Sequence, residues 1–253
     1  MIRKMLSRSA LLAAALLLVS CGGSDADPDD PRGRSAASGI AVLVDLSQTW
    51  HNPPATEEMN GRILRRVGDA IVRGAPTMPM PIAIRYHAIG EASLGRTPLC
   101  VAVYRPTTFK LGRRRAEEVV TDRATFERYL TDECPMMFLA RPPESSTEIG
   151  AAIVSAYRAS ALLRDGATRT FVILSDFKEE TPAQVSFEGL DLSRSRFLLV
   201  YRTLDEDRAR PDLQQARLRA WESLLRGLGG EVIPIDENAV LGSPQEFQIL
   251  LGA

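Results

Sequence analysis

Five oxygen-bearing side chains stand where they could share one ion. Asp45, Ser47 and Thr49 form Asp45-Leu-Ser-Gln-Thr49, directly after the apolar run Ile40–Val44. Thr147 opens a helical pattern within Ser145-Ser-Thr-Glu-Ile-Gly150, and Asp176 closes a second apolar run, Phe171–Ser175. Carboxylates, hydroxyls and water are hard donors, and Mg²⁺ prefers a near-octahedral oxygen shell with several waters and few carboxylates. Each residue also has a plainer role open to it. Asp and Ser after a strand commonly cap a helix, Thr147 could be an N-cap, and Asp176 could bond loop amides.

The elements that must position these residues follow from hydrophobic patterning. Ile40-Ala-Val-Leu-Val44 is apolar at every position and rich in β-branched residues, as a strand covered on both faces should be. Ile63, Leu64, Val67, Ala70 and Ile71 recur at helical spacing before Gly74 and Pro76. Pro81–His87 and Leu99–Tyr104 read as a strand pair, 121–130 as a short helix, and Cys134–Pro143 as a Met- and Pro-rich loop. After Thr147, the residues Ile149, Ala152, Ile153, Ala156 and Leu163 mark a helix stopped by Gly166. Thr170–Ser175 and Arg196–Tyr201 are further strands, Leu213–Leu228 is a long amphipathic helix, and Glu231–Ile235 is the last strand. Strands alternating with helices predict an α/β fold: a doubly wound, mostly parallel sheet with helices on both faces and its ligands beyond the carboxyl ends of the strands.

In order and strand context the three segments resemble the metal-ion-dependent adhesion site of von Willebrand factor A (vWA) domains, Asp-x-Ser-x-Ser followed by a separate Thr and a separate Asp. The resemblance spans Ile40 to the C-terminus, and Ser145–Ile153 is its most telling piece. It implies that Ser47 and Thr49 are direct hydroxyl ligands of Mg²⁺ or Mn²⁺, and that Thr147, Asp45 and Asp176 bind the ion directly or through water. It also implies one open coordination position for a partner's carboxylate. Two departures stand out. Thr49 replaces the usual Ser, which keeps the hydroxyl and adds a methyl, and Phe177 stands where Gly often follows the last Asp, which puts bulk near the rim. A degenerate, metal-free site is the alternative.

The N-terminus points to export. Arg3, Lys4 and Arg8 precede an apolar run, Ala10–Val19, too short to span a bilayer. Leu18-Val19-Ser20-Cys21 resembles the bacterial lipobox, which implies a signal peptide over 1–20 and a lipid on Cys21. Gly22 in place of Asp favours the outer membrane if the host is Gram-negative. Residues 21–38, nearly all Gly, Ser, Asp, Ala, Pro and Arg, read as a flexible tether, leaving 39–253 as one domain. Cys100 and Cys134 in an oxidising compartment suggest a disulfide, with two buried free thiols as the alternative.

The formal net charge of −1 argues against nucleic acid as the main partner. The local exception, Lys110 with Arg113, Arg114 and Arg115, reads as a solvated loop or a docking patch. Phosphate-binding glycine motifs and zinc-type ligand spacings are missing from the sequence. A hydrolase built on Ser47 with His51 or His87 lacks the Gly-x-Ser-x-Gly elbow and an orienting partner for either histidine. Trp50 is either a contact residue or a ring packed under the loop. The expectation is therefore a lipid-anchored, non-enzymatic protein-binding module of the cell envelope that captures a partner's carboxylate through a divalent ion. The alternative is an assembly lipoprotein that uses a metal-independent surface.

Overall fold

The computed structural model describes residues 36–51, 54–104, 123–160, 163–178 and 185–252. The signal segment, Cys21, and Lys110 with Arg113–Arg115 lie outside them. Strand β1 (Ser38–Asp45) is buried at every position, as its aliphatic run requires. It pairs in parallel with β2 (Ile82–Ile89) and with β4 (Thr168–Ser175). β5 (Ser195–Tyr201) and β6 (Glu231–Asp236) extend the parallel sheet beyond β4, and β3 (Cys100–Tyr104) runs antiparallel along the outer side of β2. The order β3-β2-β1-β4-β5-β6 makes this the doubly wound, mostly parallel α/β sheet that the alternation of elements predicts. The order reverses between β1 and β4. Ligands of such sheets bind at this switch point, outside the carboxyl ends of the strands.

Alternation along the strands feeds two cores. Ile40, Val42 and Val44 pack with Ile63, Leu64, Val67 and Ile71 of α2 (Pro54–Gly74). Ala41 and Leu43 face the other way, toward Ile149 and Ile153 of α4 (Ile149–Ser160) and Trp221 and Leu225 of α6 (Pro211–Gly227). α7 (Glu237–Gly242) and α8 (Pro244–Gly252) join the first core through Val240, Phe247 and Leu251. Two short helices follow strands, α1 (Gln48–His51) after β1 and α5 (Asp205–Ala209) after β5. Among the described residues no helix is long and apolar enough to cross a membrane.

Two expectations need correction. The packed domain begins before residue 39, because Ala36 and Ala37 are already buried and Ala36 clusters with Ala83, Leu163 and Ala167. Cys134 does not sit in a loop either. Residues 123–128 are helical, a π turn follows at Tyr129–Glu133, and α3 (Cys134–Leu139) continues from it. Pro135 stands where the π turn passes into α3, a junction at which the regular i→i−4 bonding is already interrupted. Gly68 of α2 lies against this turn, where a Cβ would collide with the Leu130 carbonyl.

Cys100 and Cys134 are bonded, with Cα atoms 5.9 Å apart, which ties the edge strand β3 to α3. The bond closes a sequence separation of 34 residues. Chain-entropy reasoning gives such a loop about 3 to 4 kcal/mol of stabilisation. Chemical denaturation with and without reductant should show a loss of that size, and an unchanged midpoint would remove the disulfide from the stability of the domain.

Candidate functional site

The chain leaves β1 into a loop held from three sides. Asp45 is wholly buried, its Oδ1 accepting from the Ser47 amide (2.8 Å) and its Oδ2 from the Ser175 hydroxyl (2.6 Å). The Leu46 amide donates to the carbonyl of Ile89 at the end of β2 (2.9 Å), and the Glu144 amide donates to the Leu46 carbonyl (2.8 Å). Ser47 and Thr49 are thereby turned toward each other, with hydroxyl oxygens 3.0 Å apart. Ser47 is buried and Thr49 half-buried, so this pair forms the outer lip of the site.

Asp176 follows the last residue of β4 and is buried. Its Oδ1 accepts from the Lys178 amide (2.8 Å), which is the loop-amide role open to it from sequence. Its Oδ2 is buried with no hydrogen-bond partner. Phe177 next to it adopts φ +59°, a left-handed conformation that bulky residues avoid and glycine adopts freely. The ring does not crowd the rim, contrary to expectation. It is buried in the core beneath α4, and the Phe177 amide donates to the Ser175 hydroxyl (2.9 Å).

Thr147 precedes α4 by two residues and does not cap it, since the first helical bond runs from the Ala152 amide to the Glu148 carbonyl. Its Oγ1 is buried without a partner. The entry segment is fixed by neighbouring groups. Glu144 accepts two hydrogen bonds from the Arg96 guanidinium (2.8 and 3.1 Å) and one from the Glu91 amide (2.6 Å). Ser145 donates to the Glu91 carboxylate through both its amide and its hydroxyl, which holds that carboxyl below its usual range. Glu148 accepts from the Ser93 amide (3.0 Å), and Ser155 of α4 donates to the Ser93 carbonyl (2.8 Å).

Under the loop lies a buried polar group. Trp50 is packed beneath it, not exposed for contact, and the Arg202 guanidinium stacks over the Trp50 ring at 4.0 Å. Arg202 donates to both Glu237 oxygens (2.9 and 2.8 Å), to the Trp50 carbonyl (3.1 Å) and to Asn60 Oδ1 (2.8 Å). Asn60 in turn donates to the same Trp50 carbonyl (2.9 Å). Burial pushes the Glu237 carboxyl up, and Arg202 pulls it back toward the ionised form. Arg202 was legible as a charged residue directly after the apolar run of β5, the same signal that singled out Asp45 and Asp176, whereas Glu237 is separated from the apolar run of β6 by Asp236.

Burial, followed by the neighbouring Asp176 carboxylate, raises the Asp45 carboxyl to about 7. Two adjacent buried carboxylates, two hydroxyls in contact and two orphaned buried oxygens, Thr147 Oγ1 and Asp176 Oδ2, fit a small hard cation. Among the described residues no three or more His, Cys, Asp or Glu side chains are grouped to hold a metal ion. A cation here would therefore rely on hydroxyls and water. His87 is buried within β2, and its imidazole is held down to about 4 by burial and then by Arg85. Ser47 Oγ meets Thr49 Oγ1, and the His51 side chain lies outside the described residues.

No family model matches the chain, and no curated protein matches it in sequence. Among solved structures it is similar to a von Willebrand factor type A protein from Catenulispora acidiphila (13% identity, TM-score 0.44, 84% of this chain and 42% of that one). It is also similar to the PilB minor pilin from Streptococcus sanguinis (12%, 0.46, 89% and 63%) and to the pilus adhesin SpaC from Lactobacillus rhamnosus GG (9%, 0.44, 85% and 30%). The chain thus spans less than two thirds of each of these structures. Likeness of this degree concerns the path of the chain and says nothing of shared ligands.

Two outcomes follow from the electrostatics. In the folded, cation-free protein Asp45 holds its proton up to about pH 7, whereas the unfolded chain releases it near 4. The folded state then binds more protons between those values, so stability falls as pH rises through that window, by up to about 4 kcal/mol. Thermal melts in chelator should show this slope in the wild type and a flatter one in Asp45→Asn; equal slopes would place the titration elsewhere. Beneath the loop, Glu237→Ala leaves the buried Arg202 without its carboxylate. Urea denaturation should register a loss of about 3 to 5 kcal/mol, whereas a loss typical of a surface pair would mean that water reaches the guanidinium.

Proposed function

We propose that this protein is a lipid-anchored, vWA-like binding module of the cell envelope that captures an acidic residue of a partner protein through a divalent ion, Mg²⁺ or Mn²⁺. One observation carries the metal reading: Thr147 Oγ1 and Asp176 Oδ2, on separate segments, are both buried and unpartnered, and Asp176 lies close to the Asp45 carboxylate, which is bonded within the loop that carries Ser47 and Thr49. Leaving two such atoms unsatisfied is unfavourable unless a further group completes them. In this reading Ser47, Thr49, Thr147, Asp45 and Asp176 hold the ion directly or through water. Bound there, the cation supplies a Lewis-acidic position at the surface for a carboxylate.

The protein's own residues do the rest. Asp45 is aimed by the Ser47 amide and the Ser175 hydroxyl, and the Glu144 bridge sets the height of the segment that leads to Thr147. The half-buried position of Thr49 leaves its hydroxyl near the partner side. The anchor reading rests on Leu18–Cys21 and places the domain at a membrane, the outer one if the host is Gram-negative. A metal-independent assembly lipoprotein working through Arg113–Arg115 is the second reading, and those residues lie outside the described ones.

Titration of Mg²⁺ and Mn²⁺ into the detergent-solubilised full chain, followed by calorimetry, should show saturable binding that disappears in Asp45→Ala. Binding of equal strength in both would overturn the metal reading. Acylation is checked separately by the mass of the mature protein, which should carry lipid in the wild type and none in Cys21→Ala.

A further inference from the structure

The opposite edge of the sheet has a different chemistry. Around the amino ends of β4, β5 and β6 lies a groove of about 500 Å³ whose lining includes Arg169, Arg194, Arg196, Ser193, Ser195 and Glu231. Three guanidinium groups stand at this edge with two carboxylates, Glu231 in the lining and Asp191 close to Arg169 and Arg194, which leaves one net positive charge. Arg194 is exposed and gives one hydrogen bond, to the Gly166 carbonyl (2.8 Å). Arg169 is braced by the Tyr157 ring at 5.2 Å and by a bond from its Nε to Ser160 Oγ (2.9 Å), an arrangement that fixes the planar head. Arg196 is paired with Glu231 (2.8 Å) and donates to the Leu250 carbonyl (3.1 Å). Ser195 Oγ, in the same lining, is buried and has no hydrogen-bond partner.

Guanidinium forks with a hydroxyl between them recognise phosphate oxygens. We infer that this groove binds the phosphate of an anionic phospholipid headgroup, with Arg169, Arg194 and Ser195 as its contacts. The choice of a lipid over a free anion rests on the anchor reading above. β1 begins at this edge, where Ser38 pairs with Thr168 and Ile82, so a lipid on a residue preceding β1 draws this edge toward the bilayer. Headgroup binding here turns the carboxyl edge, with Asp45 and Asp176, away from the membrane and toward a protein partner.

The test uses the full chain carrying Cys21→Ala, in chelator, so that neither acylation nor the cation site contributes. Sedimentation with vesicles of phosphatidylcholine alone and with added phosphatidylglycerol should show tighter binding to the anionic vesicles. Arg169→Gln with Arg194→Gln should reduce that anionic increment by about twenty-five-fold, from roughly fivefold per basic residue near a charged surface. Arg194→Glu alone changes an exposed residue and should abolish most of the increment with folding intact by thermal melt. An increment equal in wild type and variants overturns the assignment, as does the absence of any increment. Saturation of the groove by millimolar inorganic phosphate without an anionic vesicle increment, read as a melting shift lost in Arg194→Glu, replaces the lipid by a free anion and likewise overturns it. None of these outcomes bears on acylation, which the mass of the wild-type mature protein reports independently.

Discussion

A single buried guanidinium holds the carboxyl edge of this sheet together. Arg202 leaves β5 and reaches Glu237 after β6, Asn60 on α2 and the Trp50 carbonyl behind the β1 loop. A charge in this position is tolerable only if its donors are satisfied and a carboxylate lies beside it. Satisfying them requires all of these segments to be in register at once. The loop that carries Ser47 and Thr49 is therefore supported from beneath by an interaction that cannot be made halfway. The Trp50 ring adds an apolar floor against which the guanidinium lies flat.

Above that floor the fold holds several local conflicts. Asp176 stands close enough to Asp45 to disfavour its ionisation, two polar oxygens have no partner, and Phe177 adopts a backbone conformation suited to glycine. A left-handed non-glycine residue costs on the order of 1 to 3 kcal/mol and persists only where its surroundings dictate it. Here the surroundings are visible: the ring is buried under α4 and the amide is bonded to Ser175, which also bonds Asp45. One serine hydroxyl thus links the strain at Phe177 to the position of the Asp45 carboxylate. The left-handed Phe177 and the unpartnered Asp176 oxygen adjoin one another at the end of β4.

How much could be read from residues alone depended on whether the signal was local. β1, β4 and β5 were legible as apolar runs suited to strands buried on both faces, β2 by its partial alternation, and α2 and α6 because their buried faces repeat at helical spacing. The placement of Asp45 and Asp176 followed from the strand ends. Thr147 was legible as a residue at a helix entry, but whether it capped α4 depended on the Glu144–Arg96–Glu91 contacts, which join segments about fifty residues apart. α3 was obscured because Pro135 and the neighbouring methionines resemble a loop until the π turn before them is known. α5, α7 and α8 were missed for a related reason, being short and stabilised by packing more than by their own pattern. Phe177 misled in the opposite direction, since a large side chain beside an exposed strand end suggests a rim and gives no hint that the backbone will turn it inward.

The separation of the two edges follows from the topology itself. In a parallel sheet the strands share a direction, so residues that begin strands gather at one edge and residues that end them gather at the other. In this chain the starts of β4 and β5 contribute Arg169, Arg194 and Arg196, while the ends of β1 and β4 contribute Asp45 and Asp176. Neither grouping is visible as a run in the sequence, because the members on different strands are far apart along the chain. The near-zero net charge hides it further, since the two clusters cancel. What composition reports as a neutral chain is a domain with arginines where the chain enters the sheet and buried carboxylates where it leaves. On the proposed reading, that polarity turns one edge of the domain toward a negatively charged surface and the opposite edge toward a carboxylate-bearing partner.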